Sequence, residues 1–184
     1  MAVTWLHVSD FHTRTGDGYD RNVVLKSLVA SVKRFRDNGR APDLVFATGD
    51  IAFSGKAAEY ALATEFFDAL LKSVDLPRER LFVIPGNHDV DRDPGKWLAR
   101  TLTSREEADA YFDPSAPKIH LTQKLGAFVA WHDEFFRGIR TAPTNTTCGP
   151  VEAIEIGGTK LAILPVNSAL FCQDEEDHAK LLVG

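Results

Sequence analysis

With 184 residues, 44% of them hydrophobic and 26% charged, the chain is long enough to bury the core of one domain. A net charge of −5 argues against a broad nucleic-acid-binding face, which is generally basic, and no apolar run approaches the length that crosses a bilayer. The two cysteines, Cys148 and Cys172, have neither zinc-knuckle nor disulfide-framework spacing, and no basic segment followed by a long apolar one opens the chain, so a reduced, cytoplasmic protein with no membrane partner is expected.

Residues 5–8 read as a short buried strand that runs directly into Ser9-Asp10-Phe11-His12. Asp20 is placed to cap a helix in which Leu25, Leu28, Val29, Val32 and Phe35 recur at helical spacing, with Gly39 as its stop. Residues 44–47 form a second apolar run, closed by Thr48-Gly49-Asp50. A second helix is expected over 57–74, with Tyr60, Ala63, Phe67, Leu70 and Leu71 on one face. Residues 81–84 are the third strand, ended by Pro85 and then Gly86-Asn87-His88-Asp89. This β-α-β-α-β order predicts an α/β fold with a parallel sheet. Residues 90–150 read as an irregular region, punctuated by Asp93-Pro94-Gly95, Asp113-Pro114 and Ala116-Pro117. One helix is expected within it, over 121–139, where Leu125, Phe128, Val129, His132, Phe135 and Phe136 form a core stripe. The runs 151–156 and 159–166 flank Gly157-Gly158 and predict an antiparallel hairpin. One domain spanning 1–184 accommodates all of these elements.

Three polar clusters each follow an apolar strand, and in open α/β sheets that edge is where ligands bind. They supply the carboxylates of Asp10 and Asp50, the imidazoles of His12 and His88, and the amide oxygen of Asn87. That mixed oxygen and nitrogen set suits divalent transition metals. Taken singly, each has an ordinary reading: Asp10 caps a turn, Gly49-Asp50 ends a strand, and Asn87 tolerates a left-handed backbone. Three such clusters at the same sheet edge point to a metal site.

In this order, Asp10-Phe11-His12, Gly49-Asp50 and Gly86-Asn87-His88-Asp89 resemble the D-x-H, G-D and G-N-H-D/E blocks of the calcineurin-like metallophosphoesterase family. Ser54-Gly55, Glu59-Tyr60 and the run from Asn87 to Arg92 are similar to bacterial members, and Val166-Asn167-Ser168 resembles the segment before the family's later histidines. The resemblance implies an α/β/β/α sandwich and a centre of two divalent ions, with Mn, Fe, Zn or Ni as candidates. It assigns Asp10 and His12 to the first metal, Asp50 to a bridge between both, and Asn87 to the second. His88 would meet the phosphoryl group or protonate the leaving oxygen, while Asp89 and Asp91 would orient that imidazole or its loop. The implied activity is hydrolysis of a phosphodiester or phosphomonoester by in-line attack of a metal-bridging hydroxide. Asp at position 89 resembles the phosphodiesterase-like branches and favours a nucleotide-type substrate. Arg92, Trp97 and Arg100 are candidates to shape substrate choice, with ordinary surface and core roles as the equal alternative. The charges agree with this: two divalent ions carry four positive charges, and Asp10, Asp50 and a hydroxide offset three. A neutral Asn87 therefore leaves a positive centre for a phosphate anion.

The family's later isolated histidine and its G-H-x-H block have no counterpart here. His120, His132 and His178 stand in no such pattern; His132 falls on the apolar helical stripe and His178 in the acidic run Asp174 to Asp177. The chain ends on the apolar run Leu181-Leu182-Val183-Gly184. The expectation is thus the N-terminal portion of the sandwich, incomplete at its C-terminus, with weak activity unless a C-terminal segment or a partner chain completes the metal site. The alternatives are a degenerate phosphoesterase-fold module that binds a nucleotide or protein partner, and a truncated domain with an assembly role.

Overall fold

The three apolar runs pair as parallel strands β1 (Trp5–Val8), β2 (Leu44–Thr48) and β3 (Leu81–Ile84), in that spatial order, in a computed structural model that describes residues 2–16, 19–95, 102, 104–113, 115, 123–142 and 149–172. The register sets Val8 opposite Ala47 and Thr48 opposite Ile84, so all three strands end at one edge. The three polar clusters therefore leave the sheet side by side.

Alternation along the strands divides two apolar surfaces. Val45, Ala47, Leu81 and Val83 face a helical layer, where they join Tyr60, Phe67 and Leu70 in the main core. Leu44, Phe46 and Phe82 face the opposite way and meet Ile154, Ile156, Leu161 and Ile163. Those four belong to the antiparallel hairpin β4 (Glu152–Ile156) and β5 (Thr159–Ile163). Arg140 ties the hairpin to β3: its guanidinium donates to the Leu81 carbonyl and to Glu152 (3.1 Å) and lies over the Phe82 ring at 4.2 Å. Helices, parallel sheet and hairpin make three successive layers among the described residues, an α/β arrangement of the sandwich type.

The helices are α1 (Tyr19–Asp37), α2 (Ala57–Val74), α3 (Arg92–Gly95), α4 (Arg105–Phe112) and α5 (Gly126–Phe135). The central α2 packs against both α1 and α5. Its expected face is buried in full, and Trp131 from α5 stacks on Tyr60 at 5.2 Å while donating Nε1–H to Thr64 Oγ1 at 2.8 Å.

Several local expectations change. The first helix begins at Tyr19, so Asp20 lies in its first turn instead of capping it. Val32 is buried as expected, but Phe35 is 54% exposed. Position 35 shares the face of Leu28, two turns earlier, so its exposure is set by how far along the helix the cover extends and not by angular phase. The helix expected over 121–139 is broken by a bend at Leu125, with 123–124 helical before it and α5 running from Gly126 to Phe135 after it, while 121–122 lie outside the described residues. The second hairpin strand stops at Ile163, just before Pro165, which has no N–H to extend the ladder. Helix α4 had no counterpart in the sequence reading; Ser104 caps it, its hydroxyl accepting from Glu107 N at 3.2 Å.

His132 settles into the core as its place on the stripe predicts, 3% exposed with its ring 4.6 Å from that of Phe136. Desolvation pushes its pKa down to about 4, and the Asp133 carboxylate 3.8 Å from Nδ1 offsets only part of that. The folded state therefore binds a proton less readily than the unfolded chain. Stability from this group is present above the unfolded pKa near 6.5 and is lost as pH falls toward 4. Between pH 7 and pH 5 the loss amounts to about 2 kcal/mol. Urea unfolding at the two pH values is expected to show that difference shrinking by this amount in His132→Leu; an unchanged difference would mean the imidazole is hydrated in the folded state.

Candidate metal centre

The loops after β1 and β2 run alongside each other as a continuation of the strand pairing. His12 N donates to Asp50 O (2.8 Å), Thr13 N and Oγ1 both donate to Ile51 O (2.8 and 2.7 Å), and Phe53 N donates to Thr13 O (3.0 Å). Within this ladder Asp10, His12 and Asp50 adopt left-handed backbone, with φ of 60°, 45° and 53°. Among the described residues only one other non-glycine, Asp75 at the end of α2, shares that conformation. Left-handed backbone in non-glycine residues is uncommon and costs conformational energy, which the surrounding hydrogen bonds must hold in place. Here it coincides with three of the four residues assigned to metals from sequence.

The third loop is brought in by glycine. A Cβ on Gly49 would stand 2.8 Å from Gly86 Cα, and one on Gly86 would stand 2.2 Å from Asp50 Oδ1 and 2.4 Å from Asp50 N. Only bare backbone on both sides allows this approach. It lets His88 N donate to Asp50 Oδ1 at 3.0 Å. Asn87, which opens the 3₁₀ turn Asn87–Asp89, stands in the chain between Gly86 and His88, the two residues that approach this carboxylate.

Asp89 locks the second and third loops together from below. It is fully buried, and its carboxylate accepts from Ile51 N (3.1 Å), Ala52 N (2.9 Å), Gly86 N (2.8 Å) and Tyr60 Oη (2.9 Å). Burial pushes its pKa up to about 6, against the pull of these donors. Buried Glu59 holds the outer half of the second loop in the same way, accepting from Ser54 N (3.0 Å), Ser54 Oγ (2.9 Å) and Lys56 N (3.1 Å). The family-like dipeptides Ser54-Gly55 and Glu59-Tyr60 thus serve as supports of the loops that carry the site.

The resulting cluster joins all three loops. Ligand-type atoms of His12, Asp50 and His88 lie within 4.8 Å of one another. His12 Nε2 is 4.0 Å from Asp50 Oδ2 and 3.9 Å from Asp10 Oδ1, and the His12 and His88 rings are 4.4 Å apart at 80°. Separations near 4 Å are too long for hydrogen bonds and lie at the upper limit that two donors at about 2.0–2.2 Å from one ion can span, so a bound ion would draw these side chains slightly together. Asp10, His12 and Asp50 so arranged suit a divalent metal, with the His88 imidazole alongside them. Asp10 is the most exposed of the set, its side chain 68% accessible, and Asp50 is more enclosed at 17%.

The His88 ring is oriented by backbone. Its Nδ1 lies 2.8 Å from the Phe53 carbonyl. Since a carbonyl only accepts, Nδ1 carries a proton, and Nε2 is the nitrogen that can act elsewhere. Asp91 instead accepts from Lys56 Nζ (2.7 Å) and Asp93 N (3.0 Å), fixing the start of α3. Arg92 opens that helix, on a cavity that His88 also lines. His132 is not among these residues; it is buried on α5 against the rings of Phe128 and Phe136. Trp97, Arg100, His120, Cys148 and His178 lie outside the described residues. No helix among the described residues is long and apolar enough to cross a membrane.

Comparison with known proteins points the same way. Over 102 residues the chain is 31% identical to the uncharacterized metallophosphoesterase-like protein YydB of Bacillus subtilis (strain 168), covering 55% of this chain and 20% of that protein. Over 86 residues it is 35% identical to the probable glycerophosphodiester phosphodiesterase GpdQ of Arcobacter nitrofigilis, covering 46% of this chain and 29% of that protein. The matches span less than a third of either relative's own length. The family model for calcineurin-like phosphoesterases matches residues 3–142, a stretch that includes the parallel sheet, all three loops and the residues that converge on the cluster. The chain belongs to the calcineurin-like phosphoesterase family.

Proposed function

We propose that this protein is a metal-dependent phosphoesterase that hydrolyses phosphodiesters, with nucleotide-type esters favoured. The observation that carries the reading is the meeting of His12, Asp50 and His88, with Asp10 beside them, from three loops at one sheet edge. Asp10 and His12 would hold one divalent ion, Asp50 would bridge to a second, and Asn87 would complete this chain's contribution. Such ions supply Lewis acidity toward a phosphoryl oxygen and lower the pKa of water. A C-terminal segment or partner chain would add the remaining ligands, and the work would be done in the cytoplasm. The GpdQ relative's name supports a diester over a monoester.

The chain's own residues have separable tasks. Asp50 carries charge into the centre and, through Oδ1, fixes the backbone of His88. The Phe53 carbonyl anchors His88 Nδ1, which would leave Nε2 to act on the substrate. When protonated, Nε2–H donates to the leaving oxygen as a general acid.

That role predicts a dependence on the leaving group. In the protein as its natural reading frame encodes it, loaded with manganese, His88→Ala is expected to lower kcat for an alkyl phosphodiester by about 10²–10⁴-fold. For a p-nitrophenyl ester, whose leaving group needs no proton, the loss should be roughly tenfold or less. Equal losses for both esters would remove His88 as the acid, and an absence of metal-dependent hydrolysis in the parent protein would overturn the phosphoesterase reading.

A further inference from the structure

We infer that the cavity beside His88 receives the leaving group of the ester, and that Phe53 selects a neutral, flat aromatic group there; this rests on the phosphoesterase reading above. The cavity measures about 230 Å³ and is walled by Phe53, His88, Val90 and Arg92. His88 lines both this cavity and the metal cluster. The oxygen it protonates must therefore lie at their junction, with the attached group on the cavity side. In that step the water oxygen forms the new bond to phosphorus and its proton passes to solvent. The ester P–O bond breaks with its electron pair going to the leaving oxygen, which takes the proton from His88 Nε2.

Phe53 is 41% exposed, although the two residues before it are fully buried. An exposed phenylalanine is common and by itself indicates nothing. This one is held at both ends, its N–H on Thr13 O (3.0 Å) and its carbonyl on His88 Nδ1 (2.8 Å). Its ring lies 5.8 Å from the His88 ring and 6.3 Å from the His12 ring, with the Arg14 guanidinium 5.2 Å over it. A ring fixed this way offers flat apolar surface with little ordering cost on binding.

The charges of the cavity say what kind of group it accepts. Lys56 Nζ bonds both Asp91 and Asp93 at 2.7 Å, and Arg92 supplies a second positive charge, so the lining sums to zero. Nothing there calls for a second phosphate or a carboxylate. A neutral ring, such as a nucleobase or a phenyl group, suits both the balance and the Phe53 face.

Phenylphosphonate and methylphosphonate test this, being matched in charge, unable to turn over, and different only in the aromatic group. By calorimetry on the manganese-loaded, full natural chain, phenylphosphonate is expected to bind roughly tenfold more tightly, as one aromatic stacking contact allows. Phe53→Ala should erase that ratio, and Phe53→Tyr should keep it. A ratio near one in the parent, or a ratio unmoved in Phe53→Ala, overturns the inference. Hydrolysis with a ratio near one sinks the cavity assignment alone. A Phe53-dependent ratio without hydrolysis supports the aromatic cavity and overturns the catalytic reading.

Discussion

Asp50→Asn is expected to lower metal-dependent phosphodiester hydrolysis by about 10³-fold or more, while leaving the fold intact. The substitution keeps the shape and the oxygen that accepts from His88 N at 3.0 Å. Asparagine also tolerates the left-handed backbone found at this position, φ 53°. What it removes is the negative charge at the point where the second and third loops meet the first. Replacing residues that merely orient a metal's ligands costs 10–100-fold in affinity or activity, so loss of a bridging carboxylate should exceed that range. Values of kcat/KM measured across a manganese titration check this. Near-parental activity at saturating metal would show that Asp50 serves the backbone and not the ions.

The largest effect on stability is expected from Asp89→Ala. The carboxylate is fully buried and satisfies four donors, three backbone N–H groups and the Tyr60 hydroxyl. Alanine leaves all four without an acceptor in a space closed to solvent. At 1–3 kcal/mol per orphaned group, the loss is on the order of 4 kcal/mol or more, a fall in Tm of about 10 °C for a chain of this size. Asp89→Asn should fare little better, since one of its two acceptor positions becomes an NH₂ turned toward donors. Because Asp89 joins the loop of Asp50 to the loop of His88, metal affinity should fall even at temperatures where the variants remain folded. Thermal unfolding followed by circular dichroism, with and without manganese, measures both effects. A Tm within about 3 °C of the parent would show that water takes over the carboxylate's bonds.

Much of the scaffold was legible because its signals are local. Three apolar runs closed by turn residues became the three parallel strands, α2 spans Ala57–Val74 as its periodicity predicts, and Gly157-Gly158 turns the hairpin. The metal-type residues were legible as chemistry, and the edge at which they meet followed from strand order. Other features were hidden for physical reasons. Helix α4 was masked by the surrounding proline and glycine signals, although Ser104 and Glu107 carry the spacing of an N-terminal cap. The exposure of Phe35 depends on where α2 ends its contact with α1, which periodicity does not encode. Asp89 stands next to His88 in sequence, yet its burial is created by Tyr60, 29 residues away, and by two amides of another loop. Phe53 belongs to none of the three polar clusters, so nothing in the sequence ties it to the site. Only the approach of the third loop shows its ring beside two imidazoles. The left-handed backbone at Asp10, His12 and Asp50 is likewise invisible until the loops are seen to constrain one another.

Diffraction from manganese-soaked crystals, at a wavelength where the metal scatters anomalously, would show directly what the three loops hold. Two peaks are expected, one contacting Asp10 and His12, the other Asn87, with Asp50 reaching both. Peaks confined to surface carboxylates, or no peak within coordination distance of Asp50, would contradict a metal centre built at this sheet edge.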